Sequence, residues 1–164
     1  MPKYQSGQRA LLPVNNVYFG VVFKMTTDVV EDKPAQESSG DSMYAWLGGE
    51  QTIKNLVNRF YDIMDSDETL KPIRDMHKED LSPMRLSLFE FLSGWLGGPS
   101  LFIERHGSPC LTGAHKPFKI DPAARDQWMQ CINQAMIDIE IEPKYREMLT
   151  PAFERMAEMM RNSD

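Results

Sequence analysis

The chain has 164 residues and a formal net charge of −6. This length fits one domain with a single core. The acidic balance argues against nucleic acid as the main partner, because phosphate binding needs a basic face. Hydrophobic residues make up 41% of the chain and charged residues 26%, which is typical of a soluble globular protein.

The first 42 residues differ from the rest in composition. The apolar run from Val17 to Phe23 is too short to span a membrane, and nothing there resembles a signal peptide. The run fits a strand or a docking segment, or sequence upstream of a natural start such as Met25. The tract from Glu31 to Ser42 is polar, as in flexible linkers. We therefore predict a flexible extension over residues 1–42 and a folded domain over residues 43–164.

From Met43 onward the pattern is helical. A short helix over Tyr44 to Leu47 follows the capping residues Asp41 and Ser42 and ends at a glycine pair. A second helix is predicted from Glu50 to Asp65. Its apolar residues recur at helical spacing on one face, and Tyr61 shares that face. The apolar members are Ile53, Leu56, Val57, Phe60 and Met64.

An irregular connection interrupted by Pro72 follows the second helix. A third helix is then predicted to begin with Ser82 as N-cap and Pro83 at the first helical position. Its predicted inward stripe consists of Met84, Leu88, Phe91, Leu92, Trp95 and Leu96. Residues 100–120 follow, rich in Gly and Pro and without a sustained period. We predict a long loop there, a feature that is uncommon in compact domains and usually functional.

Two more helices complete the domain. The fourth has Asp121 as N-cap and Pro122 at its first position, and the fifth begins near Pro143. The predicted inward residues are Trp128, Cys131, Ile132, Ala135, Met136 and Ile139 in the fourth helix, and Tyr145, Met148, Leu149, Phe153, Met156 and Met160 in the fifth. The fold class is therefore predicted to be all-α.

The two cysteines are too few for a disulfide framework. We therefore expect a reducing compartment, the cytoplasm. Cys131 fits a small buried apolar residue. The spacing of His106 and Cys110 is weak support for zinc, because zinc sites need more ligands at tight spacing.

A cofactor held by one histidine fits better. Haem needs an apolar slot, one imidazole on iron and few polar groups. His115 fits such a ligand or an ordinary loop residue. Tyr61 and Trp128 fit either hydrogen-bond donors into a slot or satisfied core residues. Periodicity indicates the slot but does not identify haem.

Five short segments, in order along the chain, resemble those of the group II truncated haemoglobins. The resemblance covers about Tyr44 to Met160. The segments are Phe60-Tyr61, Phe91-Leu-Ser-Gly-Trp-Leu-Gly-Gly-Pro-Ser-Leu-Phe102, His106-Gly-Ser-Pro109, His115-Lys-Pro-Phe-Lys-Ile120 and Arg125-Asp-Gln-Trp128.

This resemblance implies a two-over-two helical sandwich around haem b. His115 matches the proximal iron ligand, and Phe118 matches the aromatic residue packed beside it. Tyr61 and Trp128 match the distal hydrogen-bond donors. His77 matches a position over the haem, where it could donate to the ligand or become a sixth iron ligand. Met84 matches the distal gate. The further cofactor-binding candidates are Phe60, Leu88, Phe91 and Arg85.

Two positions depart from the family pattern. Ser108 stands where the family often has histidine, and Ala114 stands where it often has an arginine that pairs with a haem propionate. The propionate partner is left open among Arg85, Arg105, Lys116 and Lys119.

The resemblance leaves two functions open. The first is high-affinity binding of O₂, NO or CO, rather than bulk oxygen delivery. The second is a haem enzyme that removes NO or peroxide, as a dioxygenase or peroxidase-like catalyst served by an external reductase. We expect a monomer or weak homodimer, with neither nucleic acid nor membrane as partner. A helical interaction module without cofactor is the third reading.

Overall fold

The computed structural model describes residues 41–164, so the prediction for residues 1–40 lies outside the described residues. The described part contains α-helices and one 3-10 turn, Glu68–Leu70, and no strand, which confirms the all-α prediction. None of these helices is long and apolar enough to cross a membrane. The helices are α1 Met43–Trp46, α2 Glu50–Ser66, α3 Lys71–Arg74, α4 Ser82–Trp95, α5 Leu101–His106, α6 Leu111–His115, α7 Pro122–Asp138 and α8 Pro143–Met160.

The long helices form two pairs. Helix α2 packs on α4, α7 packs on α8, and α2 also packs on α7, which agrees with the predicted two-over-two arrangement. All five apolar residues of the predicted α2 face are at most 1% exposed, and so are Cys131, Ile132, Ala135 and Met136 of α7. Burial raises the pKa of the Cys131 thiol to about 12, so this thiol is a core group, as predicted.

Capping explains where several helices begin. The Ser42 hydroxyl accepts from the Ala45 N–H at 3.2 Å at the start of α1, and the Asp121 carboxylate accepts from the Ala124 N–H at 3.0 Å at the start of α7. Both caps were predicted. The prediction for α4 was wrong by one residue, because Leu81 is the N-cap. The Ser82 N–H instead donates to Asp80 Oδ1 at 2.9 Å.

The predicted inward stripe of α4 is only partly correct. Leu92 and Leu96 are buried, whereas Trp95 is 36% exposed. Met84, Leu88 and Phe91 are half-buried. The fully buried face lies further round the helix and includes Phe89, Glu90 and Ser93. Helical periodicity located the apolar positions of α4. It could not show that the face with Met84, Leu88 and Phe91 is only partly covered by other parts of the protein.

The prediction of a long irregular loop over residues 100–120 was wrong. The segment contains α5 and α6, with 6 and 5 residues, separated at Gly107, which adopts φ +78°. Such short helices escape detection by periodicity, which needs about 11–18 residues. Helix α5 buries none of its residues. Partly buried side chains and polar contacts hold it on α4: Leu101 packs against the core, the ring of Phe102 contacts that of Phe91 at 6.3 Å, and Arg105 and His106 contact the buried carboxylate of Glu90 at 3.0 and 3.4 Å.

Helix α8 buries Leu149, Phe153 and Ala157. Met148 was predicted to face inward, but it is 53% exposed. The buried residues Leu149, Phe153 and Ala157 recur every four residues and define a narrow inward stripe, and Met148 lies about 100° from Leu149 around the helix, outside that stripe.

Candidate functional site

The packing of α2 on α7 brings Tyr61 and Trp128 to the same aromatic cluster. Phe60, which is fully buried, lies between them, with ring centroids 4.9 Å from Tyr61 and 5.4 Å from Trp128. Phe153 of α8 also contacts Trp128, with ring centroids 5.9 Å apart. Helical spacing placed Tyr61 and Trp128 on inward faces, and the structure confirms that placement.

Both side chains keep their donor hydrogen available. Burial raises the pKa of the Tyr61 hydroxyl, and the charge of Arg85 opposes this rise only in part, so the group is protonated at neutral pH. Within residues 41–164, neither this hydroxyl nor the Trp128 indole N–H donates to a protein group. Tyr61 is buried and Trp128 half-buried, and neither donor is among the fully buried polar atoms without a partner. Both donors are therefore accessible to an acceptor that a ligand would bring.

His77 lies beside Tyr61, with ring centroids 5.8 Å apart in an edge contact. Its Nδ1 is 2.9 Å from the Ile73 carbonyl oxygen. A carbonyl only accepts, so Nδ1 carries the proton and Nε2 has a lone pair in the neutral ring. Burial lowers the pKa of His77 against the effect of the Ile73 bond, and the charges of Arg74 and His115 lower it further. At neutral pH its Nε2 therefore accepts rather than donates.

His115 is oriented in the same way. It is the last residue of α6, so the structure corrects the prediction that it lies on an irregular loop. Its Nδ1 is 2.7 Å from the Leu111 carbonyl oxygen, one turn earlier. In the neutral ring, Nδ1–H therefore donates to this carbonyl, and Nε2 has a free lone pair. Histidines that bind metals commonly have this arrangement, because the second nitrogen's hydrogen bond fixes the ring.

The segment after His115 is tied to the end of α8 by Asn162. The amide of Asn162 donates to the Phe118 carbonyl at 2.9 Å and contacts the His115 carbonyl at 3.4 Å. Its oxygen accepts from the Ile120 N–H at 3.0 Å. Sequence reasoning missed Asn162, which lies beyond the last helix and outside any periodic pattern. Asn162 therefore positions the backbone on both sides of Lys116 and Phe118.

Apolar side chains complete the surroundings. Met84, Leu88 and Phe91 line one face of α4 and are half-buried, while Phe118 is 43% exposed. An apolar surface that protein covers only in part marks a binding surface. An apolar wall and a free imidazole nitrogen are the groups that hold haem, and distal hydrogen-bond donors tune the ligand that it binds. The residues of this chain fit haem.

The four cations considered for the propionates differ in their partners. The Arg85 guanidinium donates to the Asn58 carbonyl at 2.7 Å and to Asp62 Oδ1 at 2.8 Å. Arg105 pairs with Glu90. The ammonium groups of Lys116 and Lys119, by contrast, have no partner within residues 41–164.

The chain was compared with known proteins. The model of the bacterial-like globin family matches residues 42–162. The group 2 truncated hemoglobin YjbI of Bacillus subtilis is 37% identical over 114 residues, which cover 70% of this chain and 84% of that protein.

Two solved structures show the same fold. A cold-adapted truncated hemoglobin from the Antarctic marine bacterium Pseudoalteromonas haloplanktis is 47% identical, with a TM-score of 0.73 over 76% of this chain and 100% of that one. The group II 2-on-2 hemoglobin of Agrobacterium tumefaciens is 35% identical, with a TM-score of 0.74 over 79% and 100%. The chain therefore belongs to the bacterial-like globin family and, within it, to the group II truncated, two-on-two haemoglobins.

Proposed function

We propose that this haemoglobin uses His115 as the proximal ligand of haem b, and Tyr61 and Trp128 to retain O₂ with high affinity. Haem binding and the binding of diatomic gases follow from the family. The assignment of residues rests on one observation above all: His115 lies near enough to His77 for its charge to act on that ring, and His77 contacts the ring of Tyr61 in the aromatic cluster that also holds Trp128.

Haem, when bound, supplies an iron that takes up O₂, NO or CO. The protein supplies the rest. Met84, Leu88, Phe91 and Phe118 would pack on the macrocycle and exclude water from it. Tyr61 and Trp128 donate hydrogen bonds to a ligand that carries partial negative charge, each worth about 1.5–3 kcal/mol. Together two such bonds slow ligand release by roughly 10²- to 10⁴-fold, which suits retention of O₂ rather than bulk delivery.

His77 takes a different role from the donor considered on the sequence. Its bare Nε2 can bind iron as a sixth ligand but cannot donate to O₂, because Nδ1–H is committed to Ile73. Absorption spectra of the ferric and ferrous protein without added ligand test iron binding by His77. A low-spin, six-coordinate spectrum that becomes high-spin in His77→Phe assigns iron binding to His77, whereas a high-spin spectrum in both proteins excludes it.

Lys116 and Lys119 are the proposed propionate partners, because both arginine candidates have partners in the protein. An exposed ion pair contributes about 0.2–1 kcal/mol. We therefore expect the Lys116→Met/Lys119→Met double variant to release haem roughly 2- to 30-fold faster. Transfer of haem to excess apomyoglobin measures this rate. Lys144→Met is the control, since Lys144 pairs with Glu142 at the start of α8. Equal rates in both variants would reject the assignment.

One comparison of rates tests the proposed function against the enzymatic alternative. We expect slow O₂ dissociation, and NO consumption that stops after one equivalent when NADH and a flavin reductase are present. Sustained turnover of NO at a rate well above autoxidation would instead establish the dioxygenase function. The same assay with peroxide and an electron donor tests peroxidase-like activity.

A further inference from the structure

We propose that Arg85 is a positioning residue for Tyr61: it holds the phenol ring against α2 and thereby fixes the direction in which the hydroxyl donates. This role rests on the proposed function of Tyr61 as a distal donor. It also differs from the propionate contact considered for Arg85 on the sequence.

The guanidinium of Arg85 brackets Tyr61 on α2. It donates to the Asn58 carbonyl, three residues before Tyr61, and to the Asp62 carboxylate, one residue after it. Between these two bonds, the guanidinium carbon lies 5.5 Å from the centroid of the Tyr61 ring. A planar guanidinium can bond in two directions while lying against an aromatic ring, which a lysine ammonium cannot reproduce. The arrangement is therefore specific to arginine.

Tyr61 depends on such contacts for its orientation. Its hydroxyl has no hydrogen bond to another group in the described part of the chain, so packing alone sets the ring. Phe60 and His77 make edge contacts with the ring, at 4.9 and 5.8 Å. Arg85 adds the cation contact. Removing it would leave the ring free to tilt.

The location of Arg85 links two walls of the pocket. Arg85 directly follows Met84 on α4 and lies three residues before Leu88, while both of its acceptors belong to α2. Its bonds thus hold α4 at a set distance from α2 beside the distal side chains. Its charge also lowers the pKa of Tyr61 relative to burial alone, which makes the hydroxyl a stronger donor.

A double-mutant cycle on the haem-loaded full chain tests this role. Arg85→Met and Arg85→Lys are each made with Tyr61 present and in a Tyr61→Phe background, and O₂ dissociation is measured by stopped flow. With Tyr61 present, we expect both variants to speed release by about 3- to 10-fold, the size typical of coupled neighbours. In the Tyr61→Phe background, we expect release rates to change less than about twofold.

Arg59→Met is the matched control. Arg59 lies on α2 and, like Arg85, forms an ion pair with another helix, in its case with Asp138 at the end of α7. Its loss should therefore leave release unchanged in both backgrounds. Asp62→Asn is the milder variant should Arg85→Met fail to fold, because it keeps the guanidinium and weakens one of its two bonds. It should move release in the same direction.

A second measurement does not depend on ligand release. In the CO form of the full chain carrying ¹³Cζ-labelled tyrosine, Arg85→Met should shift and broaden the Tyr61 resonance, whereas Arg59→Met should not. Equal rate effects of Arg85→Met in the two backgrounds, with an unmoved Tyr61 resonance, would overturn the proposal while the donor role of Tyr61 stands. If Tyr61→Phe itself leaves O₂ release unchanged, the donor role fails, and the resonance alone decides whether Arg85 positions the ring.

Discussion

Replacing Tyr61 or Trp128 by phenylalanine is expected to speed O₂ release by roughly 10- to 100-fold for each residue. Each change removes one donor hydrogen and keeps an aromatic ring in the cluster around Phe60. The large effect follows from the surroundings: a hydrogen bond to a charged acceptor is stronger in a dry pocket than in water. The two donors have no protein partner within residues 41–164. Each replacement therefore removes a hydrogen bond to the ligand and none to the protein.

Stopped-flow displacement of O₂ by CO measures these rates. Tyr145→Phe and Trp46→Phe provide matched controls, since the two rings stack on each other at 6.5 Å on α8 and α1. Trp46 is 45% exposed, and neither ring belongs to the Phe60 cluster. If the control variants speed O₂ release as much as the pocket variants do, the effect comes from a general loss of packing in the protein and not from the lost donors. Unchanged release in both pocket variants would show that the distal assignment is wrong.

Replacement of His115 by glycine is expected to remove the proximal bond and to create a space that free imidazole can fill. The Nε2 lone pair is available because Nδ1 is held by the Leu111 carbonyl at 2.7 Å. The absorption spectrum of the ferrous His115→Gly variant should lose the features of histidine ligation. Added imidazole should restore them, since it supplies the same nitrogen without a covalent link.

His106→Gln serves as the control for this experiment. His106 lies in α5 and contacts the buried Glu90 rather than the apolar surroundings of His115, so its spectrum should match that of the parent. A His115→Gly protein with an unchanged spectrum would remove His115 from the iron. Loss of histidine ligation in His106→Gln would instead assign the proximal ligand to His106 of α5.

The helical periodicity of α2 and α7 predicted the positions of Tyr61 and Trp128 correctly, because each of these 17-residue helices buries one face. The same reasoning was only partly correct in α4. An apolar pattern shows which residues avoid water, but not whether protein or cofactor covers them. Met84, Leu88 and Phe91 read as core residues for that reason, although they are only half-buried.

Other features depend on residues that are distant in sequence. Glu90 looks like a surface residue until Arg105 and His106 are brought to it from α5. Arg85 looked free to reach a propionate, since its acceptors Asn58 and Asp62 are on another helix. The ring orientation of His115 required α6, which is too short to be recognised from its pattern. Family resemblance suggested the role proposed for His115, and the structure shows that its Nδ1 is held by the Leu111 carbonyl.

Titration of the full chain with haemin, followed by absorption, tests most directly the claim that these residues form one haem site. A Soret band that grows with each addition and saturates at one haem per chain is the predicted result, with histidine ligation that disappears in His115→Gly. A Soret band no different from that of free haemin would contradict the claim that these residues form a haem site.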